Sequence, residues 1–405
     1  MRLTETVSGL AAFPGRGAGT DAERRSARWL ASELSANGGE VVVEPFWTRP
    51  NWALANAWHV ALAIAGSLVS VPSPIAGCAT LGLALVFVLA DALTGVSPGR
   101  RLTRERASQN VIAVAPSAPG ASTRLILTAN YDAGRSGLAY RDIFRRTSSF
   151  LRQAVHGIPP GWVGWLVVAI LWLLAVAVLR LDSDKGQVIG AIQLPPTVAL
   201  VLAFAMLLEL GTADWSPAAG DNASGVAVAV ALARALGAAP PAHLAVELVL
   251  TGAGDGGQLG LRRYLRAHRA EQSRADTVVL GVAPCTDGRP RWWRSDGAFL
   301  PLRYARPLRQ LAERVAGEEP HLAIAPHVAR GAAPAFPARR ARLPALAIGC
   351  LDDRGLAPRS HHRDDTADAV DASALDAAVQ FGLLLIDGID AVVADAQGQP
   401  SATPA

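Results

Sequence analysis

Along most of the chain, apolar residues recur at two short periods. Ala27, Leu30 and Leu34 share one face of a helix predicted over 21–35, and Gly38-Gly39 ends it before a strand over 40–46. Strands are predicted over 110–115 and 124–129, divided by turn formers at 116–120, and the second runs into Asn130-Tyr131-Asp132. A helix over 223–236, a strand over 243–250, a helix over 259–270 and a strand over 277–282 follow. A helix over 302–315, a strand over 345–349 and a helix over 373–389 complete the alternation, with 391–405 expected to be a disordered tail. Strands alternating with helices predict an α/β fold, a three-layer αβα sandwich with a mostly parallel sheet. Ligands in such folds gather at the carboxyl ends of the strands.

Two longer tracts obey neither period. Residues 53–93 are apolar with a break at Pro72 and Pro74, and residues 161–210 are apolar with breaks at 180–187 and Pro195-Pro196. A helix over 161–179 has no charge and no polar face for water, which favours a membrane span over a buried soluble helix; 53–71 and 75–93 carry the same signal more weakly. The α/β domain, over 1–50, 107–150 and 211–390, is therefore expected to be interrupted by two transmembrane helical hairpins. Trp52, Trp58, Trp162, Trp165 and Trp215 lie near the span ends, as rings at headgroup level do, although scattered core tryptophans would look similar.

Composition supports the membrane reading, with 51% hydrophobic residues and a mean hydropathy of +0.25. Hairpins return the chain to the side it left. Arg100, Arg101, Arg104, Arg106, Arg141, Arg145, Arg146 and Arg152 all flank the domain side, whereas Arg180 and Lys185 at a hairpin tip are offset by Asp182 and Asp184. The positive-inside rule then places the domain in the cytoplasm, and Ala- and Arg-rich usage suggests a bacterial cell membrane. No apolar signal-peptide core is seen in 1–19. Cys78, Cys285 and Cys350 are too few and too far apart for a disulfide framework or a cysteine zinc site. The net charge of +4 is small, and Arg291-Trp292-Trp293-Arg294 stands without a basic groove, so packing or membrane contact is expected there rather than nucleic-acid binding.

Candidate chemistry centres on Ala219-Gly220-Asp221-Asn222-Ala223-Ser224-Gly225, which opens the helix over 223–236. On these residues alone, Asp221 reads either as a cap for the first free N–H groups or as a carboxylate held for a metal ion. Asp132, Asp255 in Gly254-Asp255-Gly256-Gly257, and His361-His362 also follow predicted strands. Asp364, Asp365 and Thr366 are expected to form a turn and cap the last helix.

In this order the motifs resemble those of the zinc-dependent exopeptidases, the metallopeptidase family that includes bacterial leucine aminopeptidases, glutamate carboxypeptidase and glutaminyl cyclase. The resemblance spans most of the chain outside the hairpins. It implies that Asp221 matches a carboxylate bridging two zinc ions, that Asp255 matches a glutamate ligand and that His361 matches a histidine ligand. It also implies that Asn130 stands where a histidine ligand is expected, Ala283 where an aspartate ligand is expected, and Gly254 where the glutamate general base is expected. Gly331-Ala332-Ala333 replaces a further S-D-H motif. Asp221, Asp255 and His361 are then the protein shell of one zinc ion, with the second ion's site lost. Two carboxylates, an imidazole and a water make an open tetrahedral site.

Hydrolysis also needs a base to take a proton from water, and its removal typically forfeits a factor of about 10²–10⁴. The expectation is a membrane-anchored peptidase-like protein that binds a peptide or small amide ligand, or a partner, with hydrolysis weak or absent. The competing reading is a working single-zinc aminopeptidase or amide hydrolase using Asp132 or Asp214 as substitute base. A third is a membrane scaffold without ligand.

Overall fold

The computed structural model describes residues 2–36, 40–154, 161–182, 186–299 and 301–398; the expected helix stop at Gly38-Gly39, part of the 180–187 break and the end of the tail lie outside them. The chain opens with α1 (Leu3–Ala11) and α2 (Asp21–Ser35), whose first turn is capped by Thr20 accepting from the Glu23 N–H. Strand β1 (Glu40–Thr48) leads into α3 (Trp52–Val69) and α4 (Pro74–Thr94), a hairpin that ends in the short α5 (Pro98–Arg101). Strands β2 (Arg106–Val114) and β3 (Thr123–Asn130) are followed by α6 (Asp142–Ala154) and the second hairpin, α7 (Trp162–Leu179) and α8 (Gly186–Thr212). Then come α9 (Gly225–Ala238), β4 (Leu244–Thr251), α10 (Leu259–Ala267), β5 (Thr277–Cys285) and β6 (Arg289–Asp296). The chain closes with β7 (Leu302–Arg303), α11 (Arg306–Glu318), β8 (Ala325–Val328), α12 (Phe336–Arg340), β9 (Ala345–Leu351) and α13 (Ala372–Gly398).

All these strands form one sheet in the order β1-β2-β4-β3-β5-β9-β6-β7, with β8 beside β6. Its centre, β4-β3-β5-β9, is parallel and apolar on both faces, as strands covered by helices on two sides must be. The flanks β1, β2, β6 and β7 run antiparallel, so the sheet is mixed. Edge strand β1 carries Glu40, Glu44 and Pro45, which discourage pairing with another chain.

Several expected elements are corrected. The helix expected over 302–315 begins only at Arg306, because Pro307 in its first turn sets the start and Leu302–Arg303 pairs with β6. Helix α13 carries through 391–398, part of the expected tail, because no Gly or Pro interrupts that stretch before Gly398. Pro195-Pro196 lie inside a continuous α8. Trp292 and Trp293 are buried in the sheet core, so that aromatic pair is packing, as expected, and no stacking platform.

Among the described residues, five helices are long and apolar enough to cross a membrane: α3, α4, α7, α8 and α13. They divide by what they pack against. The first four enclose a core of their own, built from residues such as Val60, Leu81, Ile170 and Leu200. Helix α13 instead places Leu375, Phe381, Leu385 and Ile386 in the core of the sheet domain. Length and hydropathy cannot separate these cases; the partner does.

Candidate functional site

The parallel strands β3 and β4 end level with one another, with Asn130 opposite Thr251 in the register. Beyond those ends the chain turns through Asp132 and through Gly252–Gly257, while β9 delivers the loop that carries His361. Asp221 sits in the turn before α9. Topology alone therefore brings four distant segments to one rim.

The three residues expected as ligands meet there. His361 Nε2 stands 3.6 Å from Asp221 Oδ2 and 3.9 Å from Asp255 Oδ1. All three side chains are mostly buried. His361 Nδ1 lies 3.1 Å from the Arg135 carbonyl, which can only accept, so this nitrogen carries a proton and Nε2 faces the two carboxylates. Tyr140 stacks on the imidazole at 4.0 Å between centroids, nearly parallel. A Cβ on Gly134 would lie 2.1 Å from His361 Cε1, so only glycine admits the ring here.

Each carboxylate is held by its neighbours. Asp221 Oδ2 accepts from Ser360 Oγ, and Asp255 Oδ2 accepts from Trp52 Nε1 at 3.3 Å. Burial pushes the Asp255 carboxyl above its usual range; His361 and the Trp52 hydrogen bond oppose the shift, and the nearby Asp221 charge adds to it. Asp365, expected only to form a turn and cap a helix, instead accepts from the Gly220 and Asp221 N–H groups at 2.7 and 3.0 Å. Arg16 is fully buried beneath the same turn and donates to the carbonyls of Tyr131, Pro217 and Ala218. Nothing in the local pattern around Arg16 or Trp52 signals these roles, since Tyr131, Pro217, Ala218 and Asp255 are each more than 100 residues away.

The expected losses have a geometry too. Asn130 Oδ1 accepts from Thr251 Oγ1 at 2.8 Å, and a Cβ on Gly254 would fall 2.2 Å from Asn130 Cγ. Asn130 thus fills the space beside Gly254. Ala283 lines the same cavity and brings no donor. Asp132 is fully buried, with Oδ1 accepting from the Gly254 N–H at 2.8 Å and Oδ2 from the Asp255 N–H at 3.1 Å. Both its oxygens face the loop backbone. Asp214 is exposed and paired with Arg363, outside the cavity lining. Gly331 and Ala333, at the S-D-H replacement, give their N–H groups to the buried Asp296, which Gly297 also bonds.

The cavity above the trio has a volume of about 570 Å³. Its other walls come from the helical hairpins: Trp52 at the start of α3, Leu93 near the end of α4, and Trp162 and Val163 at the start of α7. Trp52 and Trp162 pack with ring centroids 5.0 Å apart. Near them, a buried Asp91–Arg100 ion pair at 2.7 Å, reinforced by Asn56 and Ser97, holds α4 to α5, and Arg100 also donates to the Arg49 carbonyl just after β1.

In a tetrahedral zinc shell with bonds near 2.0–2.2 Å, donor atoms lie about 3.3–3.5 Å apart. The His361–Asp221 separation lies at the edge of that range and the His361–Asp255 separation beyond it, and among the described residues no group of three or more His, Cys, Asp and Glu side chains is arranged to hold a metal ion. The donor types, two carboxylates and an imidazole, are those a zinc ion takes, and the side chains would have to draw together to hold one.

The fold is that of the zinc exopeptidases. Residues 209–385 match the family described as Peptidase family M28, which the chain resembles. A zinc aminopeptidase from Bacillus subtilis superposes with a TM-score of 0.54 at 14% identity, covering 96% of this chain and 94% of its own. A glutaminyl cyclase from Bacteroides thetaiotaomicron gives 0.52 at 14% identity, covering 95% and 96%. A Zn-dependent exopeptidase from Parabacteroides distasonis gives the same score and coverage at 14% identity. No curated protein matches by sequence. At such identities the likeness speaks for the fold.

Proposed function

We propose that the chain is a membrane-anchored, zinc-exopeptidase-like protein whose pocket holds one zinc ion on Asp221, Asp255 and His361 and binds a ligand with little or no hydrolysis. The observation that carries this reading is the asymmetry of the pocket. His361 Nε2 stands 3.6 Å from Asp221 and 3.9 Å from Asp255, while no acidic side chain occupies position 254. The remaining carboxylates in the lining are engaged, Asp91 by Arg100 and Asp296 by three backbone N–H groups. Zinc would supply charge neutralisation for the two carboxylates and polarise a carbonyl or amide of the ligand. Ser360, Trp52 and Tyr140 would hold the donors in place.

The four helices that share their own core are read as two hairpins crossing a bacterial membrane, with the sheet domain on the cytoplasmic side. Zinc content of the purified full-length protein, with hydrolysis of aminoacyl test substrates and the Asp221→Ala variant as comparison, tests the pocket. About one zinc per chain without turnover supports the reading. Turnover abolished by Asp221→Ala makes the protein a working single-zinc hydrolase instead. For sidedness, Asp182→Cys at a hairpin tip should react with an impermeant thiol reagent on intact cells, and protection would reverse the orientation.

A further inference from the structure

Two guanidinium groups in the cavity lining have no role in the zinc reading. Arg262 donates to the carbonyls of Gly257 and Leu93, and Arg340 donates to Ala92. These bonds tie both side chains to the last turn of α4. Among the described residues neither arginine has a carboxylate within salt-bridge distance, and each keeps N–H groups beyond those already used. Burial, followed by the charges of Arg340 and Arg100, lowers the Arg262 pKa to about 10. Asp91 neutralises Arg100. If the acid trio is balanced by its zinc, as the reading above holds, this wall of the cavity is cationic.

An aromatic and aliphatic part of the same lining comes from Trp52, Trp162, Val163 and Phe299. Trp52 and Trp162 are the first residues of α3 and α7, and Leu93 lies near the end of α4. Those helix ends are where headgroups would meet the spans. A cavity of this volume holds a molecule of drug-like size. A cationic rim beside an apolar wall, both at the level where the bilayer begins, complements a molecule with a charged head and a hydrocarbon chain.

We propose that the ligand of this pocket is an anionic amphiphile taken from the membrane, its head bound by Arg262 and Arg340 and its chain laid against Trp52, Trp162 and Val163. The proposal rests on the single-ion reading for the charge balance and adds the class of ligand.

The test uses the full-length protein in dodecyl-maltoside micelles, with bound molecules counted by native mass spectrometry. Dioctanoyl phosphatidate supplies head and chains, dioctanoylglycerol the chains alone and inorganic phosphate the charge alone. Phosphatidate should bind once per chain and at least about tenfold more tightly than either control. Arg262→Gln with Arg340→Gln should weaken it about tenfold, and the paired lysine replacements should restore most of the loss. Because the glutamine pair also loses ties to α4, Trp162→Ala provides a second route: it should weaken phosphatidate and leave inorganic phosphate unchanged.

Equal binding of dioctanoylglycerol would overturn the anionic head, and equal binding of inorganic phosphate would make this a soluble-anion site. Unchanged phosphatidate affinity in both the glutamine and the Trp162 variants would place the lipid elsewhere. Zinc is measured on the same samples. Arginine-dependent phosphatidate binding by zinc-free protein removes the metal reading and keeps this one, while one zinc per chain with no phosphatidate bound does the reverse.

Discussion

The two halves of the pocket differ in what supports them. On the side of Asp221, Asp255 and His361, every side chain has a partner from a distant segment: Ser360 on Asp221, Trp52 on Asp255, and the Arg135 carbonyl and Tyr140 on His361. On the side of Asn130, Gly254 and Ala283, which also line the cavity, Asn130 bonds Thr251 and packs beside Gly254. Side chains held by long-range hydrogen bonds are suited to bind, whereas Gly254 and Ala283 offer the cavity no carboxylate or imidazole. Asn130 occupies the room beside Gly254, so these two positions are coupled by packing.

The largest effect that would break this contrast is loss of the metal. Asp221→Ala should lower zinc content from about one per chain to near none, and Ser360→Ala should weaken zinc binding by a factor of about 10–100 without abolishing it, both read by elemental analysis. Equal zinc in the wild type and Asp221→Ala would dissolve the distinction between the halves.

Next in size is an attempt to reverse the packed half. Gly254→Glu places a Cβ within 2.2 Å of Asn130 Cγ, and overpacking of this kind costs about 1–3 kcal/mol. Combination with Asn130→Ala should recover much of that stability in thermal melts. If the single variant is as stable as the wild type, Asn130 does not fill that space.

A comparable effect concerns the loop shared by both halves. Glu23 accepts hydrogen bonds from Gly19, Ser108 and the Ala253 N–H, and burial pushes its carboxyl from 4.5 up to about 7. Between these values the folded chain keeps a proton that the unfolded chain releases. Its contribution to stability therefore falls as pH rises across that window, by at most about 3 kcal/mol at 1.36 kcal/mol per unit. Denaturation of the wild type and Glu23→Gln at pH 5 and pH 7.5 should show a smaller pH dependence in the variant. Identical slopes would remove Glu23 as the source.

The smallest effect tests the bridge between the hairpins and the site. Trp52→Phe keeps an aromatic wall but removes the N–H given to Asp255, and a hydrogen bond to a charged group is worth about 1.5–3 kcal/mol. Zinc affinity should fall about tenfold with the melting temperature little changed. Unaltered affinity would mean that α3 supports the cavity wall without tuning the donor.

Much of the architecture was legible from periodicity. The strands at 110–115, 124–129, 243–250, 277–282 and 345–349 all appear; the last four are the parallel centre of the sheet, where strands buried on both faces need nearly continuous apolar runs. The four long helices were legible for the same local reason. Strand β6 was not, because Arg289 to Asp296 mixes charge with buried indoles and becomes a strand only when β9 lies beside it. Helix α13 was legible as a helix, but its place in the sheet core rather than the helical bundle depends on its neighbours.

For the site, the chain order of motifs was enough to single out Asp221, Asp255 and His361, because each lies in a short Gly- or polar-rich stretch after an apolar run. Their mutual distances were decided only by the sheet, whose register sets β3 and β4 level and so aligns loops more than 100 residues apart. The same holds for Asp365, Arg16 and Trp52: their hydrogen-bond partners are remote in sequence, and a local pattern carries no information about contacts made across the fold. Backbone preference and apolar period are properties of neighbours in the chain, so the sequence alone determined the elements; convergence of donors, engagement of Asp132 and the joining of hairpin to pocket are properties of neighbours in space, so tertiary packing decided them.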